Sequence, residues 1–229
     1  YKGTLEQWLS IDFGLSWMGD PSHTFIVNGE ELTNLVVPEG VTSIGERAFY
    51  GCSGLTNITL PSSLNIIGDG AFNRCSGLAG DLVIPKKVTS IGQGAFTSCN
   101  KLLKVDLSNC TSLISIGDGA FNSCTKLSEV DLSNYTSLIS IGSTAFYSCY
   151  ALIDVTIPEG VTSIGEMAFS YCTSLKSITF SNTTGWYATT SSSATTGTPM
   201  DMSNPEQNAE WLTAISGEDY YGYYFKCNA

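Results

Sequence analysis

The sequence predicts an α/β repeat protein: a right-handed solenoid of short parallel strands, built from about six repeats of 23–25 residues with non-repeating caps at the ends. Three observations predict it. One 12-residue phrase recurs six times, a second phrase of alternating apolar residues recurs between its copies, and length irregularities fall between the phrases rather than within them. Self-similarity at such a period marks units that cannot bury an apolar face alone and must stack to share a core.

The first phrase reads "VTSIGERAFYGC" at 41–52 and returns as "LNIIGDGAFNRC", "VTSIGQGAFTSC", "LISIGDGAFNSC", "LISIGSTAFYSC" and "VTSIGEMAFSYC". Its phenylalanines (Phe49, Phe72, Phe96, Phe121, Phe146, Phe169) and its cysteines (Cys52, Cys75, Cys99, Cys124, Cys149, Cys172) step by 23, 24, 25, 25 and 23 residues. Both series should therefore form ladders along the stack.

The second phrase is Leu-x-x-(Val/Ile/Leu)-x-(Leu/Ile/Val/Phe), as in "LTNLVVP" (32–38), "LTNITLP" (55–61), "LIDVTIP" (152–158) and "LKSITF" (175–180). Alternation over so few residues suits a short strand, and the proline, which cannot donate to a ladder, closes it. One strand per repeat, each followed by the same return path, predicts parallel strands. "DLSNCTSL" (106–113) and "DLSNYTSL" (131–138) lengthen the corner that follows the strand by two residues, and "LAGDLVIP" (78–85) carries one extra residue at Ala79-Gly80. Insertions at corners leave the core register intact.

These phrases resemble the BspA-like, or Treponema-type, leucine-rich repeats of bacterial surface proteins, whose consensus reads much like "LTNITLPSSLNIIGDGAFNRCSG". The resemblance covers roughly residues 32–182, with Ile-Gly-x-x-Ala-Phe-x-x-Cys kept in all six copies. "GWYATTSSSATTGTPMDMSNPEQNAEWL" and "YYGYYFKC" look like the segment that follows such repeats in gut and oral bacterial members. The resemblance implies a leucine-rich-repeat solenoid in a secreted or surface-anchored protein working by adhesion or recognition. It brings no catalytic residues.

The division expected is a flanking segment at 1–31, the solenoid at 32–182 and a cap at 183–229. Trp8, Phe13, Trp17 and Phe25 are expected to cover the first coil, because an open end exposes core and strand edge. "FIVNGEEL" reads as a hairpin. In the C-terminal part, "TTSSSATTGT" (189–198) reads as an exposed loop. "NPEQNAEWLTAI" (204–215) reads as a helix capped by Asn204 with Pro205 first, and "YYGYYFKC" (220–227) as a closing strand.

Composition narrows the function. Ten basic against 21 acidic residues give a net charge of −11, which opposes nucleic acid and anionic membranes. No apolar run reaches the length of a membrane span. The chain opens on "YKGTLEQW", without Met or a leader, and is read as part of a longer protein. The single histidine, His23, sits in a turn-like "GDPSHT" and gives no catalytic pair, while the glycines belong to the "SIG" turn rather than a phosphate loop. No two cysteines lie nearer than 11 residues, which is unlike a zinc site. They read as buried thiols, with Cys110 on an enlarged corner and Cys227 in the cap as the two that could be exposed. No cofactor and no enzymatic activity are expected.

The outward strand positions carry the candidate site. Alternation turns Val36, Thr59, Val83, Asp106, Asp131, Thr156 and Thr179 to one face. Asn34, Asn57, Asp81, Lys104, Glu129, Asp154 and Ser177 lie beside them. Asp106 and Asp131 are expected as stacked neighbours, with Asp81, Lys104, Glu129 and Asp154 close by. Like charges at strand spacing repel, so this patch reads as a contact for a basic segment of an extracellular protein, or a weak site for a cation such as calcium. A solvated acidic surface is the bland counterpart. A second expectation is a glycan-binding module using Tyr135, Tyr147, Tyr150, Tyr171 and Tyr187, and a third is a spacer in a larger surface protein.

Overall fold

The computed structural model describes residues 26–27, 30–132, 137–213 and 223–227. Within them the repeats wind as a parallel solenoid. The first wall is made by the alternating phrase: Asn34–Val36, Asn57–Thr59, Ala79–Val83, Lys101–Asp106, Glu129–Val130, Asp154–Ile157 and Ser177–Phe180, pairing in parallel in three runs. Leu35, Ile58, Leu82, Val105, Val130, Val155 and Ile178 point inward and are buried, as the alternation requires. The register between Ala79–Val83 and Lys101–Asp106 shifts between Gly80 and Asp81, where the pairing passes over Leu103.

Each coil has a second strand, which corrects the expectation of one per repeat. Ser43–Ile44, Ile66–Ile67, Ser90–Ile91, Ser115–Ile116, Ser140–Ile141 and Ser163–Ile164 form a continuous parallel ladder. The glycines after the isoleucines from the second coil on, Gly68, Gly92, Gly117, Gly142 and Gly165, are required by close approach of the preceding coil more than by turning. A Cβ on Gly117 would lie 2.7 Å from the carbonyl carbon of Gly92.

The return segments are turns rather than helices, stitched to the next coil at every second residue. Gly94 N–H donates to Asp118 O at 2.8 Å, Phe96 to Ala120 at 2.7 Å and Ser98 to Asn122 at 2.8 Å. Turning inside this ladder needs two left-handed residues per coil, such as Gly94 (φ 59°) and Ser98 (φ 61°).

The core follows from this stacking. Successive Phe rings lie 5.2–5.5 Å apart and within 9° of parallel, and all six are fully buried. Beside them, each ladder cysteine after the first donates its thiol to the carbonyl of the Phe in the preceding coil, as Cys124 does to Phe96 at 3.2 Å. Burial pushes the Cys124 and Cys172 thiols up to about 12. Cys110 and Cys227 are buried as well, so neither is the exposed thiol that its position suggested. Cys110 turns inward and donates to Val88 O at 3.4 Å.

At the start, Ile26–Val27 pairs antiparallel with Glu30–Glu31, the expected hairpin. Trp8, Phe13, Trp17, His23 and Phe25 lie outside the described residues. At the other end, Tyr224–Cys227 adds antiparallel to Ser163–Ile164, followed by Trp186–Thr189 and Thr198–Pro199. An antiparallel strand thus occupies the edge on which another parallel coil would stack, which removes a template for end-to-end growth. The helix spans Pro205–Thr213, with Asn204 Oδ1 accepting N–H from Glu206 and Gln207 at 3.1 Å each. Asn208, fully buried, donates to Ile178 O at 2.9 Å and Met202 O at 3.0 Å, which ties the helix to the last coil of the first wall.

Candidate functional site

The strand face is positioned by rigid ladders beneath it. Register places Asp81 against Lys104 and Lys104 against Glu129, with Val83 against Asp106 one pleat further on. Asp131 follows Val130, the last residue paired in its strand, and Asp154 opens the next strand along the stack. Asp81, Glu129 and Asp154 are exposed, while Lys104, Asp106 and Asp131 are half-buried.

The charges are less raw than composition alone suggests. Lys104 sits between Asp81 and Glu129 and bonds Glu129 Oε1 at 2.5 Å. That bond raises the lysine's pKa, and Asp106 and Asp81 add to the effect by charge. Asp106 accepts the Ser108 N–H at 2.9 Å. Bonds from Ser108, followed by the charge of Lys104, hold its carboxyl below the usual range. The outer row also bonds to itself: Asn57 Nδ2 donates to Asn34 Oδ1 at 3.0 Å and Ser177 Oγ to Asp154 Oδ1 at 2.5 Å. Cross-strand pairs of this kind stabilise the face they decorate.

Apolar side chains stand among these charges. Val83 is 52% exposed, Leu103 46% and Ile153 43%. Sequence reading placed Val83 outward but passed over Leu103 and Ile153. The signal was the doublet, Leu102-Leu103 and Leu152-Ile153, in which one partner faces the core and the other cannot. Among the described residues, no group of three His, Cys, Asp or Glu side chains is placed to hold a metal ion.

The tyrosines do not form one platform. Tyr187 is buried, with its hydroxyl donating to Ala194 O at 3.1 Å. Tyr147 and Tyr171 pair at 5.1 Å with a 57° tilt, Tyr150 is exposed, and Tyr135 lies outside the described residues.

Stacked short strands, inward leucine-class residues and Phe ladders define a leucine-rich-repeat solenoid. The chain belongs to the family described as BspA type leucine rich repeat region, matching in six copies over residues 22–114 and 107–200. Among solved structures it is similar to a leucine-rich repeat protein of T. pallidum, with 34% identity over 63% of this chain and 65% of that one, at a TM-score of 0.56. It is also similar to a leucine-rich repeat protein of Eubacterium ventriosum, with 29% identity over 62% of this chain and 44% of that one, at 0.45. A leucine rich cell surface protein of Faecalibacterium prausnitzii matches at 24% identity over 68% of this chain and 61% of that one, at 0.37. The chain thus spans about two thirds or less of each of these proteins. A search of curated proteins finds no significant match. Among the described residues, no helix is long and apolar enough to cross a membrane.

Proposed function

We propose that this chain is a secreted or cell-surface interaction module, without enzymatic activity, whose strand face holds a basic segment of another extracellular protein. The observation that carries the reading is the mixture on one rigid sheet. Exposed Val83, Leu103 and Ile153 stand among Asp81, Asp106, Glu129, Asp131 and Asp154. Exposed apolar side chains bordered by charge are the composition of an interface core and its rim. The acids steer a basic partner toward the face, and the apolar groups hold it once water leaves. Lys104 sets the register by repelling a cation placed directly over it. In this reading, residues 32–182 present the surface, while 1–31 and 183–229 close its ends.

The test is capture of extracellular and matrix proteins by the purified chain at low and moderate salt, alongside the double variant Asp106→Asn/Asp131→Asn. Binding that weakens with salt and is lost in the variant supports the strand face. Binding indifferent to both places the contact elsewhere, and absence of any capture favours a spacer role.

A further inference from the structure

A second surface lies on the return side of the solenoid, away from the strand face. The turn after each "SIG" contains a left-handed residue, and successive coils place Arg47, Gly70, Gly94, Gly119, Thr144 and Met167 there. Left-handed backbone does not itself demand glycine in this fold. Arg47, Thr144 and Met167 carry side chains at φ 53° or just below, and the second left-handed column, after Gly51, holds Arg74, Ser98, Ser123, Ser148 and Tyr171. The three consecutive glycines therefore open a trough. It is an open groove of about 640 Å³ whose lining runs from Arg47 to Thr144, a volume in the usual range for small-ligand sites.

Most of the lining side chains are polar, and its cations have neighbours. Arg47 pairs with Glu46, and the Arg74 guanidinium lies over the Tyr50 ring at 5.8 Å. On the walls, Asp69 Oδ1 accepts the Gln93 N–H at 2.8 Å and Asp118 Oδ1 the Ser143 N–H at 2.7 Å. Each carboxylate is thereby held in place with its second oxygen left as an acceptor. The Asn73 and Gln93 amides, each both donor and acceptor, also line the trough.

This chemistry selects a ligand class. Glu46, Asp69 and Asp118 outnumber Arg47 and Arg74 in the lining, which does not favour a phosphate or other anion, and the mostly polar side chains do not favour a lipid. A peptide strand cannot add by backbone pairing, because the floor's own ladder is committed from coil to coil, as in Gly70 N–H to Gln93 O at 2.7 Å and Gly94 N–H to Asp118 O at 2.8 Å. Fixed carboxylate oxygens and bifunctional amides fit neighbouring hydroxyl pairs, which donate and accept together. We propose that the trough binds a neutral linear oligosaccharide lying along the stack, with Asp69, Asn73, Gln93 and Asp118 bonding its hydroxyls. This differs from an aromatic platform and does not depend on the strand-face reading.

The experiment is titration calorimetry of the purified chain with neutral linear tri- and tetrasaccharides at up to millimolar concentration, repeated with two variants. Gly119→Arg copies the residue found at Arg47, and its Cβ would meet Thr144 Oγ1 at 3.6 Å, an ordinary contact. It should abolish binding and lower the thermal midpoint by a few degrees, since a side chain at φ 60° is strained there as it is at Arg47. Asp118→Asn keeps the Oδ1 acceptor for Ser143 and should weaken binding by about tenfold, the loss of one charge-assisted bond. Asp106→Asn, on the other face, should leave it unchanged. Absence of saccharide binding overturns the proposal, as does binding untouched by Asp118→Asn, which decides the matter if the arginine variant fails to fold. Peptide binding blocked by Gly119→Arg without any saccharide binding overturns it too.

Discussion

The phenylalanine column and the strand face run along the same coils, yet they differ in how they repeat. Inside, position after position holds the same residue, with six rings at 5.2–5.5 Å and near-parallel planes. Outside, the row Asn34, Asn57, Asp81, Lys104, Glu129, Asp154 and Ser177 changes character at four of its six steps. Packing explains the contrast. A buried ring touches its own copies above and below, so a change of size is felt by both neighbours. An outward residue meets mostly water, and its identity is open to selection by a partner.

The most forceful way to break this comparison is at the centre of the column. Phe121→Ala should cost about 3–5 kcal/mol, because neighbouring rings cannot close the cavity without leaving their ladders. Urea unfolding measures it, and a near-neutral result would mean that the column does not specify the stack. Gly117→Ala comes next, at about 1–3 kcal/mol, since its Cβ would press into backbone of the preceding coil, which has less freedom to yield than a side chain. The same unfolding curves report it.

Titration sharpens the contrast further. Cys124 and Cys172 are pushed up to about 12 from an ordinary 9.0 by burial. Between those values the unfolded chain binds fewer protons than the folded one. The stability these thiols contribute is therefore complete below pH 9 and falls as pH rises toward 12. The urea midpoint should decline above pH 9, and Cys124→Ala should make that decline shallower. In native solution at pH 8 the ladder thiols should resist alkylation by iodoacetamide, and in denaturant they should react.

Much of the interior was legible in the sequence because it repeats: Phe, Cys and the alternating leucine-class positions each return at one address per coil. The second wall was not. Ser-Ile pairs are too short to show a period, and their strand character arises only when six copies stack. The glycine after them looks like a turn residue until the neighbouring backbone is seen 2.7 Å from the missing Cβ. The outward acids were readable as a group, whereas the placing of Lys104 between Asp81 and Glu129 needed register. The trough was hidden for a related reason. Its glycines are unremarkable one at a time and form a cleft only as three consecutive rungs.

The smallest expected effect sits on the strand face. Asp106→Asn/Asp131→Asn should change stability by no more than about 0.5 kcal/mol, the usual range for surface substitutions. Asparagine at 106 keeps the oxygen that accepts the Ser108 N–H at 2.9 Å, and relief of repulsion between the acids offsets part of what is lost. The hydrogen bonds that hold the Asp106 carboxyl low make a small contribution of their own. It is present above the ordinary carboxylate range and lost as pH falls through the lowered value. Unfolding of the variant beside the parent, at neutral and acid pH, measures both. A loss above about 1 kcal/mol, comparable with a lost buried hydrogen bond, would make these carboxylates part of the scaffold. The distinction between a packed inside that repeats and an outside that chooses partners would then fail at the coils where the proposed contact lies.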